Sequence, residues 1–125
     1  SYLINTMRPL IFSTALPPIN IAWSDFIFKK VMAAKSERLH LHRISQDLQA
    51  AIVARGYSSP STSQIIPIIV GASQTAVEKS QSVQQHGFYA MPVRPPTVPQ
   101  HSARLRISLT SLIQSDDLQR LVACL

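Results

Sequence analysis

Arg94, Thr97, Arg104 and Arg106 stand within thirteen residues of one another, in PVRPPTVPQHSARLRISL from Pro92 to Leu109. Guanidinium groups and a hydroxyl gathered around a stiff bend are donors without an acceptor of their own, the chemistry of an anion-holding site. A guanidinium offers a rigid fork that matches a carboxylate with two parallel hydrogen bonds, which a lysine cannot copy. Arg106 on the strand is a candidate for such a carboxylate contact, and equally a solvated strand residue. Arg104 shares its face and is expected to support it through an ion pair. Read without further context, the same residues also describe a Pro-rich surface turn followed by a half-exposed strand.

The elements that must position these side chains can be read from the periodicity. In Arg104-Leu105-Arg106-Ile107-Ser108-Leu109 the side chains alternate, so Leu105, Ile107 and Leu109 can pack on a core while the arginines and Ser108 point away. Pro95, Pro96 and Pro99 fix three φ angles and bias their predecessors toward extended backbone, holding Arg94 and Thr97 at low entropic cost. Further upstream, Ile65 to Val70 is an apolar, β-branched run of strand length, and Pro67 within it points to an edge or a bulge. Phe88 to Val93 reads as a second strand and Arg104 to Leu109 as a third.

Helical spacing runs from Ile19 through Trp23, Phe26, Val31, Leu41, Ile44, Leu48 and Ile52, as one long helix or two joined near Ser36, with Gly56 as the stop. The double proline at Pro17-Pro18 can open it. Ser73 is a candidate cap for a helix running to about His86 with Gly87 just beyond its end, and Ser115 with Asp116 and Asp117 opens a last helix whose Leu118, Leu121, Val122 and Leu125 form one stripe. The expected fold is α+β, a small antiparallel or mixed sheet of about three strands covered by helices.

Composition excludes several classes. The 125 residues carry a formal charge of +6, but the basic residues are scattered and no aromatic ladder accompanies them, so nucleic-acid binding is not expected. No apolar run approaches the roughly 20 residues that span a bilayer. Cys124 is the only cysteine, so no internal disulfide can form and a reducing compartment is compatible. His40 and His42 lie on different faces of a helix, while His86 and His101 stand alone, so no metal site is expected. With three glycines the chain cannot build a Gly-rich phosphate loop, and it holds no GxSxG or HExxH.

The same stretch resembles the C-terminal domain of the α-oxoamine synthases, pyridoxal-phosphate acyltransferases that join an amino acid to an acyl thioester. The resemblance rests on PTVP followed by ARLRIS, with RPLIFSTALPP (8–18), SQIIPIIVG (63–71) and QQHGFYAMPVRPPTVP (84–99) in the family's order. It covers nearly the whole chain and is weakest from Trp23 to Pro60. Arg94 ahead of two prolines is most similar to members that condense L-alanine with a pimeloyl thioester, carried by coenzyme A or a carrier protein, to 8-amino-7-oxononanoate with loss of CO2. Glycine C-acetyltransferase-like relatives, or a non-catalytic dimerisation fragment, are the other readings.

The resemblance implies a cytoplasmic homodimer of fold type I. Residues 1–18 would be a remnant of the large cofactor domain and residues 19–125 the small C-terminal domain with its connecting helix. Arg106 would hold the α-carboxylate, Thr97 would touch substrate, and Arg94 would meet the distal carboxylate of the pimeloyl chain. Ser13 and Thr14 would reach the phosphate of pyridoxal 5'-phosphate in the neighbouring subunit, although Ser-Thr before a proline-started helix is also simply a good cap. Ser1 is followed by no initiator methionine or charged leader, so a C-terminal piece of a longer protein is expected. The Schiff-base lysine of the family belongs upstream of Arg8; Lys29 and Lys30 do not substitute, and the chain alone is expected to be inactive, with no catalytic residue of its own. One departure stands at His101, where the family usually carries glycine. A positive φ there would cost about 1 kcal/mol.

Overall fold

The computed structural model describes residues 2–11 and 15–125, in two compact units divided between Lys35 and Ser36. The first unit holds α1 (Tyr2–Thr6), α2 (Arg8–Ile11) and α3 (Pro18–Ala33). Pro18 opens α3 because the first helical position has no use for an amide hydrogen; Asn20 and Ile21 donate back to the Pro17 carbonyl at 2.9 and 3.4 Å. No residue of α3 is buried, and Ile19, Trp23, Phe26, Phe28 and Met32 are exposed around it. These apolar side chains share the helix surface with the exposed Lys29–Asp25 ion pair.

The second unit takes up with α4 (Lys35–Ala54), then β1 (Ile65–Gly71), α5 (Ser73–Gln85), β2 (Met91–Val93), β3 (Ala103–Ser108) and α6 (Ser115–Ala123). The helical pattern from Ile19 to Ile52 is thus two helices, with Ala34 between them closing α3 through its N–H to Lys30 O and Val31 O. The three strands form one antiparallel sheet in the order β1-β3-β2. Ile44, Leu48 and Ile52, four residues apart on α4, meet Ile66 and Ile68 of β1, Val83 of α5 and Leu105 and Ile107 of β3 in a single core. This is the α+β, three-strand arrangement that the periodicity implies.

Pro67 explains why β1 lies at an edge: it has no N–H for a second ladder. A bulge follows between Ile69 and Gly71, and Gly71 takes φ +86°, a conformation that costs a residue with a Cβ. Gly56 and Gly87 end α4 and α5 as expected, each donating to the last turn, at Val53 O and Gln84 O.

Two expectations need correction. Only Met91–Val93 of the segment from Phe88 to Val93 is strand, because the preceding backbone is engaged by α5: Phe88 N–H bonds Val83 O at 3.2 Å and Ala90 O accepts the buried Ser80 hydroxyl at 2.7 Å. Ser73 is the first helical residue and Ala72 the cap, since Ala76 N–H already bonds Ala72 O. The last helix opens at Ser115 as expected, with Gln114 as its cap, its N–H on Asp117 Oδ2 at 3.2 Å.

His101 has φ 59°. The left-handed region costs a residue with a Cβ about 1–2 kcal/mol, while glycine's extra chain entropy returns roughly 0.5–1 kcal/mol. His101→Gly is therefore expected to stabilise the chain by about 0.5 kcal/mol, seen as a higher urea midpoint at unchanged slope. An unchanged or lower midpoint would show that the bend is not under strain.

Candidate anion site

The site is built from the middle strand. Ala103, Leu105 and Ile107 are 0, 0 and 5% exposed, so the pleat turns Arg104, Arg106 and Ser108 to the opposite face, with Arg104 half-buried and Arg106 exposed. Arg106 lies across from Pro67 on one side and Met91 on the other, and its Nη2 donates to Met91 Sδ at 3.4 Å. Arg104 lies across from Ile69 and Val93. Both arginines line an open hollow of about 460 Å³, walled by Ser61, Thr62 and Ser63 of the connector ahead of β1 and by Pro67 and Val98.

The connector is fixed from α4. Gln49 Nε2 donates to the carbonyls of Ser59 and Ser61, and the Ser61 hydroxyl donates to Ile65 O at 2.7 Å. Ser61, Thr62 and Ser63 thus share the hollow with the arginines, and no carboxylate residue lines it. The ion pairs among the described residues are Lys29–Asp25 and Arg120–Asp117, so Arg94, Arg104 and Arg106 have no acidic partner there. The expectation that Arg104 makes an ion pair is not met among the described residues; its Nε donates instead to Ser102 O at 3.0 Å.

The prolyl turn behaves as its residues imply. Thr97 N–H closes it on Arg94 O at 3.0 Å, across a cis Pro95-Pro96 peptide. Arg94 and Thr97 are both exposed, and neither lines the hollow, which Val98 reaches instead. The structure thus brings Arg104 and Arg106 together and leaves Arg94 and Thr97 on the adjoining turn. Ser13 and Thr14 fall outside the described residues.

Two features escaped the sequence reading. The hydroxyl-rich connector is a wall of the site; its density of serines was the available signal. A second hollow, of about 580 Å³, lies on the other side of that connector, between it and Arg38, His42, Gln46 and Gln49 of α4. It is larger, but it lacks the paired strand guanidiniums of the first hollow. His40 is occupied structurally, its Nε2 2.9 Å from Ile113 O. Among the described residues no group of three or more His, Cys, Asp or Glu is placed to hold a metal, and no helix is long and apolar enough to cross a membrane.

Residues 1–125 match the family described as aminotransferase class I and II. The chain belongs to that family. Within it, the chain is 52% identical over 125 residues to 8-amino-7-oxononanoate synthase from Haemophilus ducreyi, covering 99% of this chain and 32% of that protein. A putative 8-amino-7-oxononanoate synthase from Glaesserella parasuis is 49% identical, with 99% and 33% covered. The chain therefore spans about a third of the length of the curated relatives it matches. Among solved structures, Sphingomonas wittichii serine palmitoyltransferase superposes with a TM-score of 0.85 at 28% identity, over 98% of this chain and 31% of that one. The 8-amino-7-oxononanoate synthase of Francisella tularensis shares the fold, with a TM-score of 0.83 at 24% identity over 98% of this chain and 36% of that one. This class I and II aminotransferase chain has the small-domain architecture of the fold-type I enzymes.

Proposed function

We propose that this chain is the C-terminal portion of an acyltransferase that condenses L-alanine with a pimeloyl thioester to give 8-amino-7-oxononanoate and CO2, a step of biotin biosynthesis. Residues 1–18 belong to the large domain and residues 19–125 to the small one. The observation that supports the reading is the hollow on β3, which Arg104 and Arg106 line together with Ser61, Thr62 and Ser63 and where neither has an acidic partner among the described residues. Arg106 binds the α-carboxylate of alanine. Thr97, at the tip of the prolyl turn, supplies a hydroxyl to the substrate, and Arg94 receives the distal carboxylate of the pimeloyl chain.

Pyridoxal phosphate, when bound, supplies the electron sink for a carbanion at the amino-acid Cα. The donors on the hollow fit a carboxylate rather than this cofactor's ring, since no lysine or acid lines it. Ser13 and Thr14 are the residues of this chain proposed to reach the cofactor phosphate, across a homodimer. A guanidinium that fixes the carboxylate also fixes rotation about the Cα it is attached to, so Arg106 orients the bond to be broken. The exposed apolar surface of α3 fits a segment covered in the longer protein. By itself the chain is expected to turn over no substrate.

The likeness to a serine palmitoyltransferase favours one second reading, a related synthase with another amino acid and acyl donor, such as a glycine C-acetyltransferase. The complete protein, supplied with L-alanine and pimeloyl thioesters of coenzyme A or carrier protein, is expected to form 8-amino-7-oxononanoate, detected by mass spectrometry. Faster turnover of glycine or serine with acetyl or palmitoyl thioester would replace the first reading with the second. In the same protein Arg94→Ala is expected to raise KM for the pimeloyl thioester roughly tenfold, the loss of one charge-assisted contact. KM for an uncharged acyl thioester of equal length stays the same.

A further inference from the structure

Arg104 is the strand arginine to which the reading above gives no task, and its surroundings suggest one. It is the more buried of the pair and lines the same hollow as Arg106. Ser102, which holds it, is itself held: its N–H and its hydroxyl both bond Pro99 O, at 3.3 and 2.7 Å. Arg104 Nε is used on the Ser102 carbonyl, and its two terminal nitrogens have no partner among the described residues. A half-buried guanidinium beside a second one, with no acidic partner among the described residues, lacks compensation, and an anion between the walls relieves this.

We infer that Arg104 is a second substrate-binding guanidinium, closing with Arg106 on the same amino-acid carboxylate; this rests on the reading of Arg106 given above. Positions two apart on a strand are about 7 Å apart at Cα and on one face, a span that two arginine side chains can close onto one group. A carboxylate has about four lone-pair sites, and one guanidinium fork fills about two of them. Arg104 takes the remainder. Its tether to Ser102, and through Ser102 to the prolyl turn, holds it in place before substrate arrives.

Calorimetric titration of the complete protein with L-alanine and with L-alaninamide, which lacks the negative charge, tests this. Arg104→Gln is expected to weaken L-alanine binding about tenfold and leave L-alaninamide within twofold. Arg104→Lys, which keeps the charge but not the fork, falls between Gln and wild type. Equal losses for both ligands, or no loss for either, would overturn the inference and return Arg104 to a structural ion pair with a group outside this chain. If Arg104→Gln does not fold, the Lys variant is decisive by the same ratio. Arg106→Gln separates the two claims. Should it leave the ratio unchanged while Arg104→Gln lowers it, the assignment of Arg106 and the shared clasp both fail and Arg104 alone is left as the carboxylate contact; the reverse pattern removes Arg104 alone.

Discussion

Arg106→Ala in the complete protein is expected to lower kcat/KM for L-alanine about 100-fold, equivalent to roughly 2.7 kcal/mol. Two parallel charge-assisted bonds to a carboxylate are lost at once, each typically worth about 1.5 kcal/mol or more. Most of the change should fall in KM, because a carboxylate held from binding onward is held in the ground state too. Some must fall in kcat, because a substrate free to rotate about its Cα reaches the reactive geometry less often. KM for the acyl thioester is expected to change less than twofold. Stability should move by no more than about 0.5 kcal/mol, since the exposed side chain bonds only Met91 Sδ among the described residues. An unchanged KM for alanine would remove Arg106 from the site.

The face that carries Arg106 was legible because a strand's period of two is local: six residues from Arg104 to Leu109 suffice to separate core from outer face. Helix ends at Gly56 and Gly87 were legible for the same reason, since a left-handed residue announces itself by lacking a Cβ. Pro67 told of an edge or bulge, and β1 has both. What could not be read depends on distant partners. Phe88 to Ala90 has strand composition, yet its backbone bonds go to α5, seated there by the core. Nothing in the spacing of three strands says that the last in sequence lies in the middle. The connector from Ser61 to Ser63 reads as a polar loop and becomes a wall of the site because Gln49, twelve residues before Ser61, holds the Ser61 carbonyl and that of Ser59 ahead of it. The strain at His101 was legible through resemblance alone, as a histidine where relatives carry glycine.

Removing a side chain from the hidden face of the same strand should do something different. Leu105→Ala is expected to destabilise the 125-residue chain by about 3 kcal/mol, within the usual range of roughly 2–5 for a buried leucine. Leu105 is fully buried in the central strand, paired across to Ile68 and Pro92 and packed in the cluster that joins α4, α5 and the sheet. Neighbours on both sides leave little room for collapse, which places the cost near the middle of that range. For a domain of this size the loss is a large share of the net stability, and the melting temperature should fall by about 10 °C or more. Urea unfolding of the chain measures it directly; a cost below about 1 kcal/mol would mean the cluster can close over the gap. The functional consequence follows from position. Leu105 lies between Arg104 and Arg106, so its burial is what keeps the two guanidiniums turned together toward the hollow. In the complete protein, Leu105→Ala should therefore weaken the preference for L-alanine over L-alaninamide while removing no donor, and a ratio equal to wild type would show that β3 holds its outer face without that anchor.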